Sequence, residues 1–195
     1  RDGSQPGQSA AQLFLVLEER IMTLANECMT FSEVLAQLKA GAVTLASSML
    51  YALAAPASKD VKEFARLWPT LAVEQRVKII RLLAEQAEAN FELDFNALFR
   101  VAMVDTDGQV RTVAFEGLWE DEEPTLVQTL VQVLRHDPMA SARAAAATSL
   151  GRFVLLLDLD ELDERFAESV HGALSAAVAD PGEYLEVRRR AVESI

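Results

Sequence analysis

Four arginines, Arg76, Arg111, Arg143 and Arg188, each open the same short pattern, with an apolar residue three places on and another seven places on. The residues are Ile79 and Leu83, Ala114 and Leu118, Ala146 and Leu150, and Ala191 and Ile195. Positions i, i+3 and i+7 share one face of an α-helix, so each pattern implies a helix with a buried stripe. The arginines are 35, 32 and 45 residues apart, the interval of a helix pair joined by loops of varying length. Small residues in the stripe let neighbouring helices approach closely. An acidic residue opens the turn before three of these helices, at Asp105, Asp137 and Asp180, and proline follows the last two.

The rest of the chain has the same character. Apolar residues recur at helical spacing, breaks carry Gly, Pro, Asn or Asp, and no run shows sustained strand-like alternation. The predicted helices span 31–39, 43–54, 59–68, 73–89, 94–103, 109–120, 124–135, 139–156, 161–179 and 184–195. Residues 1–10, RDGSQPGQSA, have no apolar period and read as a flexible tail. Leu13, Leu17, Ile21 and Leu24 predict a helix over 11–26, within an N-terminal extension ending at residue 28. Met29 is a candidate native start. Phe64, Trp68, Phe91, Phe95 and Phe99 are assigned to the core.

Composition narrows the class of partner. A formal charge of −12 and a pI near 4.6 argue against nucleic acid and anionic membrane, both of which select clustered Lys and Arg. A partner chosen by charge would be basic. The longest apolar run, Met49 to Ala55, is far short of a bilayer span. LFLVL at 13–17 is too short for a signal-peptide core, so a cytoplasmic protein is the expectation. A single cysteine, Cys28, excludes an internal disulfide within this sequence and a thiolate-rich zinc site.

The segments DTDGQVRTVAFEGL, DPMASARAAAATSLGRF and DPGEYLEVRRRAVESI resemble HEAT repeats, and in particular the bacterial kind similar to bilin-lyase HEAT-like repeats. The resemblance is clearest over 94–195, weaker over 59–93, weakest over 31–58, and does not cover 1–28. It implies an all-α fold, an α-solenoid of about five HEAT-like helix pairs over 29–195, with outer A helices, inner B helices and a concave binding face. The last apolar period runs up to Ile195, so the array is expected to continue beyond residue 195 or to be covered there by a partner.

The repeated charges suit a structural role. An Asp near a helix N-terminus caps free amides, and an Arg one turn inside reaches that carboxylate or one in the next repeat. Asp105, Arg111, Asp137, Arg143, Asp180 and Arg188 are therefore assigned to repeat ion pairs. The acidic block DLDELDE at 158–164 fails as a calcium loop, because Leu162, Asp163 and Ser169 fall where an oxygen ligand, Gly and Glu are needed. It reads as a solvated connection, with Asp158 or Asp160 starting the next helix. No G-x-S-x-G, Walker-type loop, G-x-G-x-x-G or H-E-x-x-H occurs. His136 and His171 fall on different predicted helices, and no spacing supports a Cys28–His136 pair.

Phe115 and Trp119 depart from the pattern. Their repeat equivalents are Ile80 and Ala84, then Ala147 and Gly151. Two readings stand: the rings fill a gap between adjacent B helices, or they line the concave groove as binding residues. On the second reading Glu116, Glu120, Asp121, Glu122 and Glu123 form an acidic rim. The function expected is a protein–protein interaction scaffold or regulatory binding module without catalysis, cofactor or metal. The alternative is a HEAT-like enzyme or chromophore chaperone of the bilin-lyase type.

Overall fold

The computed structural model describes residues 29–195; the predicted tail, the helix over 11–26 and Cys28 lie outside them. The described residues are all-helical, without strands. The α-helices are α1 (Phe31–Lys39), α2 (Ser47–Leu53), α3 (Ser58–Leu67), α4 (Val73–Ala89), α5 (Asn96–Ala102), α6 (Gly108–Gly117), α7 (Thr125–His136), α8 (Ala140–Asp158), α9 (Ala167–Ala179) and α10 (Leu185–Glu193). No described helix is long and apolar enough to cross a membrane.

The packing order follows the arginine pattern. Helix α4 packs on α6, α6 on α8, and α8 on α10, while α3 meets α5 and α7 meets α9 on the other layer. The i+3 residues of the four patterns, Ile79, Ala114, Ala146 and Ala191, are fully buried. Alanine at three of these places keeps the helices close, and the large volume comes from Phe64, Phe95, Phe99, Phe115 and Phe153. Trp68 packs on Phe64 with ring centroids 4.9 Å apart. Phe91 is not in the core as predicted. It lies in the turn after α4 and is 77% exposed.

Short acidic turns end one helix and start the next. Asp94, Asp105, Asp121, Asp137, Asp163 and Asp180 each accept a hydrogen bond from the backbone N–H two residues on. A short side chain that mimics a backbone turn in this way is why Asp recurs at these places. Asp160 and Asp158 do not begin a helix. Asp158 is the last residue of α8, and Asp160 takes the left-handed conformation (φ 59°) that closes it, with the Glu161 amide donating to the Leu156 carbonyl. A 3-10 turn, Glu164–Phe166, capped by Asp163, precedes α9.

Helix α6 stops at Gly117, three residues before the predicted end. Arg100 reaches across with two hydrogen bonds, of 2.8 and 2.7 Å, to the Asp121 carboxylate, which holds the turn in place of another helical turn.

Candidate functional site

A groove of about 530 Å³ runs along α4, α6, α8 and α10. Thr112 and Glu116 come from α6, and Ser141, Ala145, Thr148, Ser149 and Arg152 from α8. Glu88 of α4 stands at one side and Glu186 and Arg190 of α10 at the other. Ser141, Ala145, Thr148 and Arg152 are spaced i, i+4, i+7 and i+11, so a single face of α8 makes most of the floor. Small side chains there keep the groove open. Thr112 Oγ1 and Ser141 Oγ lie 2.9 Å apart across it, and Thr112 also donates to the Gly108 carbonyl.

The two predicted aromatics separate. Phe115 is fully buried between helices and leaves no ring surface for a binding partner. Its role is the gap-filling one, because the helical period turns it towards the core. Trp119 lies just past the end of α6, is 43% exposed and lines the groove. Its ring face is already met by a cation, with the Arg152 guanidinium carbon 5.8 Å from the ring centroid. An incoming Lys or Arg would therefore compete with Arg152 for that face. Burial pulls the Arg152 pKa down, against the fields of Glu122, Glu120 and Asp121.

The acidic rim also divides. Glu116 stands exposed on the groove wall, and Glu120, Glu122 and Glu123 are exposed in the turn after α6. Asp121 is not a rim residue. It is buried, bound to Arg100 and to the Glu123 amide, and serves the turn. Glu116 has no ion-pair partner among the described residues. Desolvation raises its pKa, aided by the like charge of Glu88 and opposed by Arg81 and Arg190.

The repeat charges form a ladder that runs from one helix pair to the next. Arg76 meets Asp105 at 3.1 Å, Arg111 meets Asp137 at 2.7 Å, and Arg143 meets Glu183 at 2.6 Å. All three arginines sit one turn inside their helices, and the carboxylate comes from the turn before the next helix of the same layer, α6, α8 or α10. Asp105 is bound from three sides: Trp68 Nε1–H donates to it at 2.7 Å, the Asp107 amide at 2.8 Å, and Arg76 supplies the charge. Arg111 and Arg143 also donate to the Asp105 and Asp137 carbonyls. Asp180, the expected partner in the last turn, meets no arginine among the described residues. Glu183 takes its place and reaches Arg143 with both oxygens, at 2.7 and 2.6 Å. Arg188 donates to the Val178 carbonyl at 3.1 Å and meets no carboxylate among the described residues.

Two carboxylates of the ladder, Asp137 and Glu183, are shifted in the sense expected of ion pairs. Burial pushes Asp137 up, but hydrogen bonds from Arg111 and the Met139 amide, with the charges of Arg111 and Arg143, hold it below the ordinary carboxylate value. The hydrogen bond from Arg143 depresses Glu183.

Sequence reasoning missed Arg152, Arg190 and the hydroxyl floor of α8. The available signal was the run of small residues at one helical face in SARAAAATSLGR; arginines outside the repeat position carried none. No protein-family model matches the chain, and the searches of curated proteins and of solved structures found no match.

Proposed function

We propose that the stacked helix pairs form a HEAT-like α-solenoid of about five pairs that acts as a protein-interaction scaffold or regulatory binding module. The groove along α4, α6, α8 and α10 receives a basic segment of a partner protein. The observation that carries this reading is the groove itself, floored by small side chains and edged by Trp119 and unpaired carboxylates. Arg190 is neutralised by Glu186 and Glu193, whereas Glu88 and Glu116 have no such partner among the described residues. A Lys or Arg facing these two carboxylates gains charge complementarity, and an apolar residue beside it covers the exposed part of Trp119. Phe115 and Asp121 take no part in this contact.

The test is selection of peptides from a displayed random library on the purified protein, followed by direct affinity measurement. Enriched peptides are expected to be basic with an apolar residue nearby. Their binding should weaken about tenfold or more with Trp119→Ala or Glu116→Lys, and it should weaken as salt rises. Enrichment of acidic or uncharged peptides, or equal binding by the variants, would contradict the reading.

A further inference from the structure

Two arginines line the groove, and they are held differently. Arg190 is gripped by Glu186 at 3.0 Å and by Glu193 at 3.1 Å. Arg152 makes no hydrogen bond or ion pair with a described residue. It rests on the face of Trp119, with its guanidinium carbon 5.8 Å from the ring centroid. Glu122, Glu120 and Asp121 act on it only through their fields, and Asp121 is committed to Arg100. Burial meanwhile works against its charge. The place attracts a cation without gripping this one, since a cation–π contact that water reaches is worth about fivefold in affinity or less.

The hydroxyls of the floor say which ligands suit this part of the groove. Thr112 Oγ1 donates to the Gly108 carbonyl at 2.8 Å, Thr148 Oγ1 to the Ala144 carbonyl at 3.2 Å, and Ser149 Oγ to the Ala145 carbonyl at 3.0 Å. With the Thr112 proton so placed, Ser141 is the donor in the 2.9 Å contact between them. The floor's hydroxyl protons are therefore committed. What it presents to a ligand is lone pairs, which receive N–H donors and give an anion nothing. We infer that the indole face of Trp119 is a cation subsite of the groove, filled by Arg152 in the free protein and taken over by a guanidinium or ammonium of the partner segment. The displaced Arg152 has the exposed carboxylates of Glu120 and Glu122 to turn to, whose fields it already feels. The inference rests on the reading of the groove as a site for basic segments and adds a second contact to it. Trp119 follows Glu116 by three residues, about one helical turn, so the partner needs two basic residues close together in its sequence.

The test titrates N-acetyl-arginine amide, a guanidinium on a neutral backbone, into the full chain and reads its affinity from the Trp119 indole N–H resonance. Arg152→Gln vacates the ring and is expected to tighten the probe about fivefold or more. Arg81→Gln is the control for charge alone. The field of Arg81 also reaches Glu116, but Arg81 does not lie on the ring, so its removal should change the affinity about twofold or less. Equal affinity for the parent and Arg152→Gln, or an equal gain from Arg81→Gln, would overturn the inference. The groove reading fails separately. A selected basic peptide that is lost with Glu116→Lys but binds the parent and Arg152→Gln alike keeps that reading and sinks the subsite. Failure to select any basic peptide, with the probe behaving as expected at Trp119, sinks that reading and keeps the subsite.

Discussion

Asp105 illustrates how one residue can bind several elements together. Its carboxylate accepts hydrogen bonds from Trp68 at the end of α3 and from the amide of Asp107, the cap of α6, and it forms an ion pair with Arg76 of α4. The Arg76 side chain is only 7% exposed, so removing the negative charge leaves a cation in a poorly solvated place. Asp105→Asn keeps the size and an acceptor for the indole, yet is expected to destabilise by about 3 kcal/mol, measured by urea unfolding. A similar loss from Asp163→Asn, whose ion pair is exposed, is not expected. The sequence showed that Asp105 opens a turn, because Asp before a helix has a local cause. It did not show that the carboxylate reaches Arg76 rather than Arg111, since that choice depends on which helix lies alongside.

At the scale of the element, helix existence was legible throughout the described residues, and helix ends were legible where a local cap decides them. Gly117 marks where that reasoning stopped. The run through Trp119 keeps a helical period, but Gly117 lies against the ring of Phe99, and a Cβ there would come within 2.6 Å of it. Phe99 is itself fixed edge-on to Phe95, with ring centroids 6.4 Å apart. Gly117→Ala is therefore expected to cost about 1–3 kcal/mol through overpacking, although alanine is the better helix former. Gly172, inside α9, meets nothing within 4 Å of a built Cβ. Gly172→Ala should stabilise by about 0.5–1 kcal/mol, and paired thermal melts of the two variants check the contrast. The Glu183-for-Asp180 exchange was illegible for a related reason. Both residues sit in one turn, and only the path of the chain before α10 determines which carboxylate reaches α8.

For the molecule as a whole, the ladder ties adjacent helix pairs together through charge, so its stability should respond to acid. Asp137 and Glu183 have folded-state pKa values below their ordinary ones. Their contribution is present above the unfolded carboxylate range, near ~4, and is lost as pH falls through the lowered values. Glu116 has the opposite sign. Its raised pKa means stability that is lost as pH rises through that value, so Glu116→Gln should gain slightly on the parent as pH rises above the ordinary carboxylate range. Chemical denaturation across pH measures both effects. The helical class of the molecule was legible because its period repeats. The floor of the groove was not, because small residues on one face of α8 read equally well as close helix packing. The sequence has two tryptophans, and they report on different places: Trp68 is buried and bound to Asp105, while Trp119 is exposed at the groove. The indole N–H resonances followed by NMR during titration with a selected basic peptide therefore test the binding account most directly. The Trp119 signal should shift in proportion to binding, less at high salt, while the Trp68 signal stays in place. Binding of the peptide with the Trp119 signal unmoved would contradict it.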